Sequence, residues 1–135
     1  MADAFAAQVD FFSVGTNDLT QYVLAMDRLH PTLAAKADSL HPAVLRMIDM
    51  VVKAADQAGI WVGVCGGLAG EPLGAVILAG LGVRELSMVV PSIAAIKARL
   101  RNISLKDART LARQALSCSD LEQVRRLQIP GGEQR

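Results

Sequence analysis

Residues 10–28 read DFFSVGTNDLTQYVLAMDR, and their chemistry is concentrated in one step: the apolar run Phe11 to Gly15 stops at a glycine and sets Asn17 beside Asp18. An amide next to a carboxylate supplies one neutral donor and acceptor and one hard anionic oxygen, a pairing suited to a magnesium ion shared with a phosphate. The same residue types also make turns and helix caps through local hydrogen bonds. Arg28 closes the stretch; its guanidinium suits a phosphate or carboxylate, or an ordinary surface position. Cys65 ends a second apolar run and is followed by Gly66 and Gly67, which let a backbone approach a ligand closely. A thiol there can act as nucleophile or acid, or sit inert in the core. His30 and His41 each precede a proline with no acidic partner nearby, which points to solvated or capping roles.

These residues need elements to position them. Three strand-like runs, Phe11 to Gly15, Ile60 to Val64 and Arg84 to Met88, are each followed by a helical pattern. Between the first two, Pro42 to Ala58 carries Val44, Leu45, Ile48, Val51, Val52 and Ala55 on one helical face, with Gly59 as its stop. Glu71-Pro72 opens another helix, with closing glycines at 80 and 82. A helix over Ser92 to Arg101 follows. Ser104 with Asp107 then forms a capping box for a helix to about Ser117, and Ser119 with Glu122 a second, for a last helix through Val124 and Leu127 ended by Pro130-Gly131-Gly132. Leu29 to His41 is the longest irregular stretch, and residues 2–9 read as the end of a helix entering the first strand.

Apolar strands alternating with helices predict an α/β fold with a parallel sheet. In such folds ligands bind at the carboxyl ends of strands, which collects Asn17 and Asp18, Cys65, and Ser87 with Met88 on one predicted face. Three strands are few for such a sheet and leave its edges open, so the reading expects an upstream portion.

The chain has 135 residues, 52% of them hydrophobic and 20% charged, which excludes a disordered chain. No membrane-spanning run and no targeting segment are visible, so a cytoplasmic protein is expected. Cys65 and Cys118 lie in unlike contexts without CxxC or histidine spacing, against a disulfide or zinc site. Residues 1–96 hold five Lys/Arg against nine Asp/Glu and residues 97–135 nine against four. The basic end reads as solvated helix faces and not as a nucleic-acid surface, since no aromatic residue interleaves the arginines.

Asp10 to Arg28 resembles the second signature of phosphoenolpyruvate-utilising enzymes, in which Ser-x-Gly-Thr-Asn-Asp-Leu-x-Gln leads to an arginine. HPAVLRMI at 41–48, WVGVCG at 61–66, LAGLGVRELSM at 78–88 and SIAAIKARLRN at 92–102 are similar to the carboxy-terminal domain of enzyme I of the bacterial sugar phosphotransferase system. The resemblance implies the last three strand-helix units of a TIM (β/α)₈ barrel over residues 1–135, with added carboxy-terminal helices. It implies phosphoenolpyruvate and Mg²⁺ as substrate and cofactor, a homodimer, and transfer to a histidine on another domain and on to the histidine-containing phosphocarrier protein. On matching positions Asn17 would contact the phosphate, Asp18 would ligate magnesium, Arg28 would hold the phosphate and Cys65 would protonate the enolpyruvate carbon.

Gly67 departs from the family's usual glutamate. The phosphorylated histidine, the second magnesium ligand and further substrate arginines of the family precede the matched region, so the chain is expected to be inactive alone. Two alternatives stand beside this reading: a non-catalytic dimerisation or binding module, and a pyruvate phosphate dikinase or phosphoenolpyruvate synthase fragment. The dikinase reading predicts an ATP requirement.

Overall fold

The computed structural model describes residues 1–27 and 29–131. Helix α1 (Ala2–Ala6) leads into strand β1 (Phe11–Gly15), which passes without a loop into α2 (Thr16–Leu24). A 3-10 turn at Ala34–Lys36 interrupts the irregular stretch before α3 (Pro42–Ala58) and β2 (Trp61–Cys65). A second 3-10 turn, Gly67–Gly70, precedes α4 (Pro72–Leu81), and then come β3 (Glu85–Ser87), α5 (Val90–Arg101), α6 (Leu105–Ser117) and α7 (Leu121–Arg125).

Among the described residues the strands form one parallel sheet in the order β1-β2-β3. The central strand is covered on two sides: Val62 and Val64 are buried on one face and Gly63 between them on the other, as in a parallel strand packed between layers. Phe11 stands opposite Trp61 at the amino end of the sheet, and their rings stack at 4.5 Å and 6°.

The helices follow from their stop and start signals. The expected span of α3 is observed residue for residue. His41 caps its start by accepting the Ala43 N–H at Nδ1, and Gly59, at φ 74°, ends it in the left-handed conformation that side chains resist. Its face of Val44, Leu45, Ile48, Val52 and Ala55 is buried in the core that also takes in β2, α4 and α6. Ser104 caps α6 where the sequence placed it, its Oγ accepting the Asp107 N–H at 3.1 Å and donating to Asp107 Oδ2 at 2.6 Å. On α6, Ala108, Leu111, Ala112 and Ala115 are buried while Lys106, Arg109 and Arg113 stay exposed, so this part of the basic end is a solvated helix face.

Several boundaries differ from expectation, each for a local reason. The second strand lies one residue later, which brings Cys65 into the ladder opposite Gly15 and Ser87. The third spans only Glu85–Ser87, and α5 begins at Val90 because Pro91 fits its first turn. Asp120 and not Ser119 caps α7: Asp120 Oδ1 accepts the Gln123 N–H at 2.9 Å and Gln123 Oε1 accepts the Ser119 N–H at 3.0 Å, shifting the box by one residue. The helix stops at Arg125, so Leu127 packs on the core from outside it. The expected stop at Gly132 lies outside the described residues.

Gly80 is not a stop either. It lies inside α4, where α6 crosses, and a Cβ there would collide with the Ala108 carbonyl oxygen and stand 2.9 Å from the Ala112 Cβ. The two helices are as close as their backbones permit. Gly80→Ala is therefore expected to destabilise the chain by about 1–3 kcal/mol through overpacking, despite alanine's better helix propensity. A urea unfolding midpoint unchanged by the substitution would show that α4 and α6 do not meet this closely in solution.

Candidate active site at the carboxyl ends of the strands

The register sets Gly15, Cys65 and Ser87 level with one another at the carboxyl edge of the sheet. Gly15 is both the last residue of β1 and the N-cap of α2, so Asn17 and Asp18 occupy the first helical turn. Gly15 brings no side-chain oxygen to that turn, and a helix start of this kind attracts anions through its N–H groups and dipole.

On the other side of the seam, Cys65 is followed by Gly66 at φ 126°. A Cβ on Gly66 would stand 2.5 Å from Thr16 Oγ1 and 3.2 Å from Asn17 Oδ1. Glycine is required here twice, by conformation and by space. The close approach makes two bonds across the seam: Thr16 Oγ1 donates to the Cys65 carbonyl at 3.3 Å, and the Gly67 N–H donates to Asn17 Oδ1 at 3.3 Å. With its oxygen turned to Gly67, Asn17 keeps an NH₂ group that only donates, the polarity an anion needs.

Asn17, Cys65, Gly66, Gly67, Gly70, Ser87, Met88, Val89 and Ser92 line a cleft of about 430 Å³. The structure thus brings together Asn17 and Cys65, two of the residues singled out from sequence. Asp18 is exposed in the same helical turn, its Oδ2 3.9 Å from where a Gly15 Cβ would be, and does not line the cleft. Arg28 lies outside the described residues. Among the described residues no three His, Cys, Asp or Glu side chains gather as a metal site. Both histidines accept local N–H groups at Nδ1: His41 from Ala43, and His30 from Thr32 at 3.3 Å and Leu33 at 3.4 Å.

Sequence reasoning missed the polar support beneath this surface. Thr16 and Thr20 are the buried polar side chains among the described residues. Thr20 Oγ1 donates to the Thr16 carbonyl at 2.7 Å and lies 2.7 Å from Ser39 Oγ. Their i,i+4 spacing on a helix was the available signal. Ser92 was also missed, because the early start of α5 carries it to the cleft.

Residues 1–105 match the model of the PEP-utilising enzyme family, in its PEP-binding domain. The chain belongs to the PEP-utilising enzymes. It is 61% identical over 127 residues to a multiphosphoryl transfer protein of Rhodobacter capsulatus, covering 94% of this chain and 15% of that protein. It is 47% identical over 125 residues to a Salmonella typhimurium protein named for the phosphoenolpyruvate-dependent phosphotransferase system, covering 93% of this chain and 17% of the relative. With the phosphoenolpyruvate-protein phosphotransferase of Priestia megaterium it shares 44% over 124 residues, covering 92% and 22% respectively. The chain spans less than a quarter of the length of each of these relatives.

The Thr16 hydroxyl gives the site a direct stability test. Thr16→Val keeps the side chain's shape but leaves the Cys65 carbonyl without its donor, and is expected to lower unfolding free energy by about 1–3 kcal/mol, whereas Thr16→Ser should retain most of it. Equal midpoints for Thr16→Val and wild type in chemical denaturation would show that the bond across the seam contributes nothing.

Proposed function

We propose that this chain is the carboxy-terminal part of the phosphoenolpyruvate-binding domain of an enzyme I type phosphoenolpyruvate-protein phosphotransferase. The observation that carries the reading is the cleft shared by Asn17 and Cys65, in which the Gly67 N–H holds the Asn17 oxygen, since an amide donor and a thiol lining one cleft support it.

In this reading the phosphate of phosphoenolpyruvate lies against the start of α2, where the Asn17 NH₂ and the helix N–H groups donate to its oxygens. Arg28 would add a cation to the phosphate. Asp18 would hold magnesium, an ion that commonly takes one or two carboxylates together with substrate phosphate and water, and that supplies charge neutralisation when bound. As the phosphorus–oxygen bond breaks, the phosphoryl group passes to an acceptor histidine nitrogen and the enolate of pyruvate remains. The Cys65 thiol gives its proton to the methylene carbon, leaving pyruvate and a thiolate that is reprotonated from water. Protonation of carbon turns the enolate into the more stable ketone and so favours transfer, while the transfer itself depends on positioning and charge.

His30 and His41 are engaged as a turn and a helix cap, which fits an acceptor histidine supplied by another domain. Beyond that, transfer continues to the histidine-containing phosphocarrier protein in the cytoplasm, and the domain works as a homodimer. Each outer strand has one ladder neighbour among the described residues, and Phe11, Val89 and Val90 are exposed, which supports a larger (β/α)₈ barrel closing around this sheet. Gly67 stands where the family has glutamate: a Cβ there would meet only Asn17 Oδ1 at 3.7 Å, so the site has room for the family's side chain, and the bond to Asn17 comes from the backbone and does not depend on that side chain.

The test replaces the matching 124-residue segment of the Priestia megaterium phosphotransferase by this chain and follows phosphoryl transfer from phosphoenolpyruvate. The chimera is expected to transfer, with Asn17→Ala or Asp18→Ala lowering the rate and Cys65→Ala lowering it by about 10²–10⁴-fold, the usual contribution of a positioned proton donor. A folded but silent chimera would favour the binding-module reading, and full activity in Cys65→Ala would remove the thiol from the mechanism.

A further inference from the structure

The carboxy-terminal helix reaches the site from the far end of the chain. Arg125, the last residue of α7, donates from Nε to Asp38 Oδ2 at 2.7 Å and from Nη1 to Glu71 Oε1 at 3.0 Å, and its Nη2 also pairs with Asp38. Asp38 belongs to the stretch between α2 and α3, and Glu71 is the N-cap of α4. One guanidinium therefore ties together three segments that are 54 and 87 residues apart in sequence. Its hydrogen bond to Asp38, opposed by some desolvation and helped by both carboxylate charges, raises its pKa above the usual arginine value. Arg125, Asp38 and Glu71 line a second cleft with Asn17, Ser39, Gly67 and Leu68, so the clamp adjoins the Asn17–Gly67 contact.

From Asp38 a defined path leads inward. The Leu40 N–H donates to Asp38 Oδ1 at 2.8 Å, and the Leu40 side chain is fully buried, so the backbone on both sides of Ser39 is held. The Thr20 hydroxyl has one proton and donates it to the Thr16 carbonyl, so the 2.7 Å contact with Ser39 must be donated by Ser39. Thr16 in turn donates to the Cys65 carbonyl. Ser39 and Thr20 thus hold the Thr16 backbone through its carbonyl, and the Thr16 side-chain hydroxyl separately holds the Cys65 carbonyl, so the path to Cys65 passes through the Thr16 residue itself. Such networks fix geometry because no member can turn without leaving a buried group unpaired.

We infer that Arg125, Asp38 and Ser39 are positioning residues for Cys65 and Asn17: α7 clamps the 38–40 segment, and its serine sets the register of the first turn of α2 against the end of β2. The inference rests on the reading of Cys65 and Asn17 as the functional pair. Arg125 makes its side-chain hydrogen bonds to Asp38 and Glu71 and acts through Asp38, Ser39 and the held first turn of α2. Ordinary exposed ion pairs contribute little to stability, so the effect is expected in local geometry and not in global unfolding.

The experiment measures iodoacetamide alkylation of the folded chain by mass spectrometry, comparing Cys65 with the buried Cys118 as internal reference, together with hydrogen exchange at the Gly67 amide. No phosphoenolpyruvate is added, so the result is independent of whether the chimera above is active. Ser39→Ala and Arg125→Ala are expected to change the Cys65 rate roughly fivefold, the ratio that one net hydrogen bond represents, and to speed Gly67 exchange while Cys118 is unaltered. Arg125→Lys, which keeps the charge but not the fork, should fall between Arg125→Ala and wild type. Cys65 and Cys118 rising together would reduce the clamp to a stability device, and unchanged Cys65 and Gly67 rates in both alanine variants would overturn the inference.

Discussion

The site depends on how closely the first turn of α2 approaches the end of β2. At Gly66 the two backbones come so near that a methyl group would overlap Thr16 Oγ1. This proximity lets one threonine hydroxyl reach the Cys65 carbonyl and one backbone amide reach Asn17. Every functional proposal for Asn17 and Cys65 assumes that spacing. A wider seam would leave the amide and the thiol on separate surfaces, with the carbonyl of Cys65 in need of another donor.

The chain separates its two kinds of interior. Around α4 the packing is apolar, with Ala75, Val76, Ile77 and Leu78 fully buried and Gly80 admitting the backbone of α6. Beneath the cleft it is polar, with Thr16 and Thr20 buried and satisfied, and no buried side-chain nitrogen or oxygen among the described residues lacks a partner. Apolar contacts are tolerant of small displacements in a way that directed hydrogen bonds are not, so the polar half is where geometry is specified. The arrangement keeps Asn17 and Cys65 in fixed relation, as the proposed function requires.

Much of this was readable in advance because the relevant signals are local. The periodic face of α3 and its bounding Pro42 and Gly59 fix both ends of that helix, and the apolar runs before Gly15 and Cys65 give the strands to within a residue. The signature around Asn17 and Asp18 gave the family. What was not readable depends on contacts between distant segments. Gly80 looked like a helix stop because its reason is α6, which arrives nearly thirty residues later. The cap of α7 moved from Ser119 to Asp120 because Gln123 meets Asp120 with both its backbone N–H and its side-chain amide while its Oε1 takes the Ser119 N–H. Asn17 and Asp18 were read as a pair, yet adjacent helical positions point in different directions, and only Asn17 lines the cleft.

The stacked rings at the amino end of the sheet have a use unrelated to chemistry at the other end. Trp61 is the single tryptophan of the chain, and its ring lies 4.5 Å from that of Phe11 directly across the β1–β2 ladder. Phe11 is 47% exposed, so the stack is an outer edge of the sheet and not part of the core. The one tryptophan thereby lies at the opposite end of the ladder that carries Gly15 and Cys65. Its emission reads the docking of the outer strand optically, without a label and without touching a residue of the cleft.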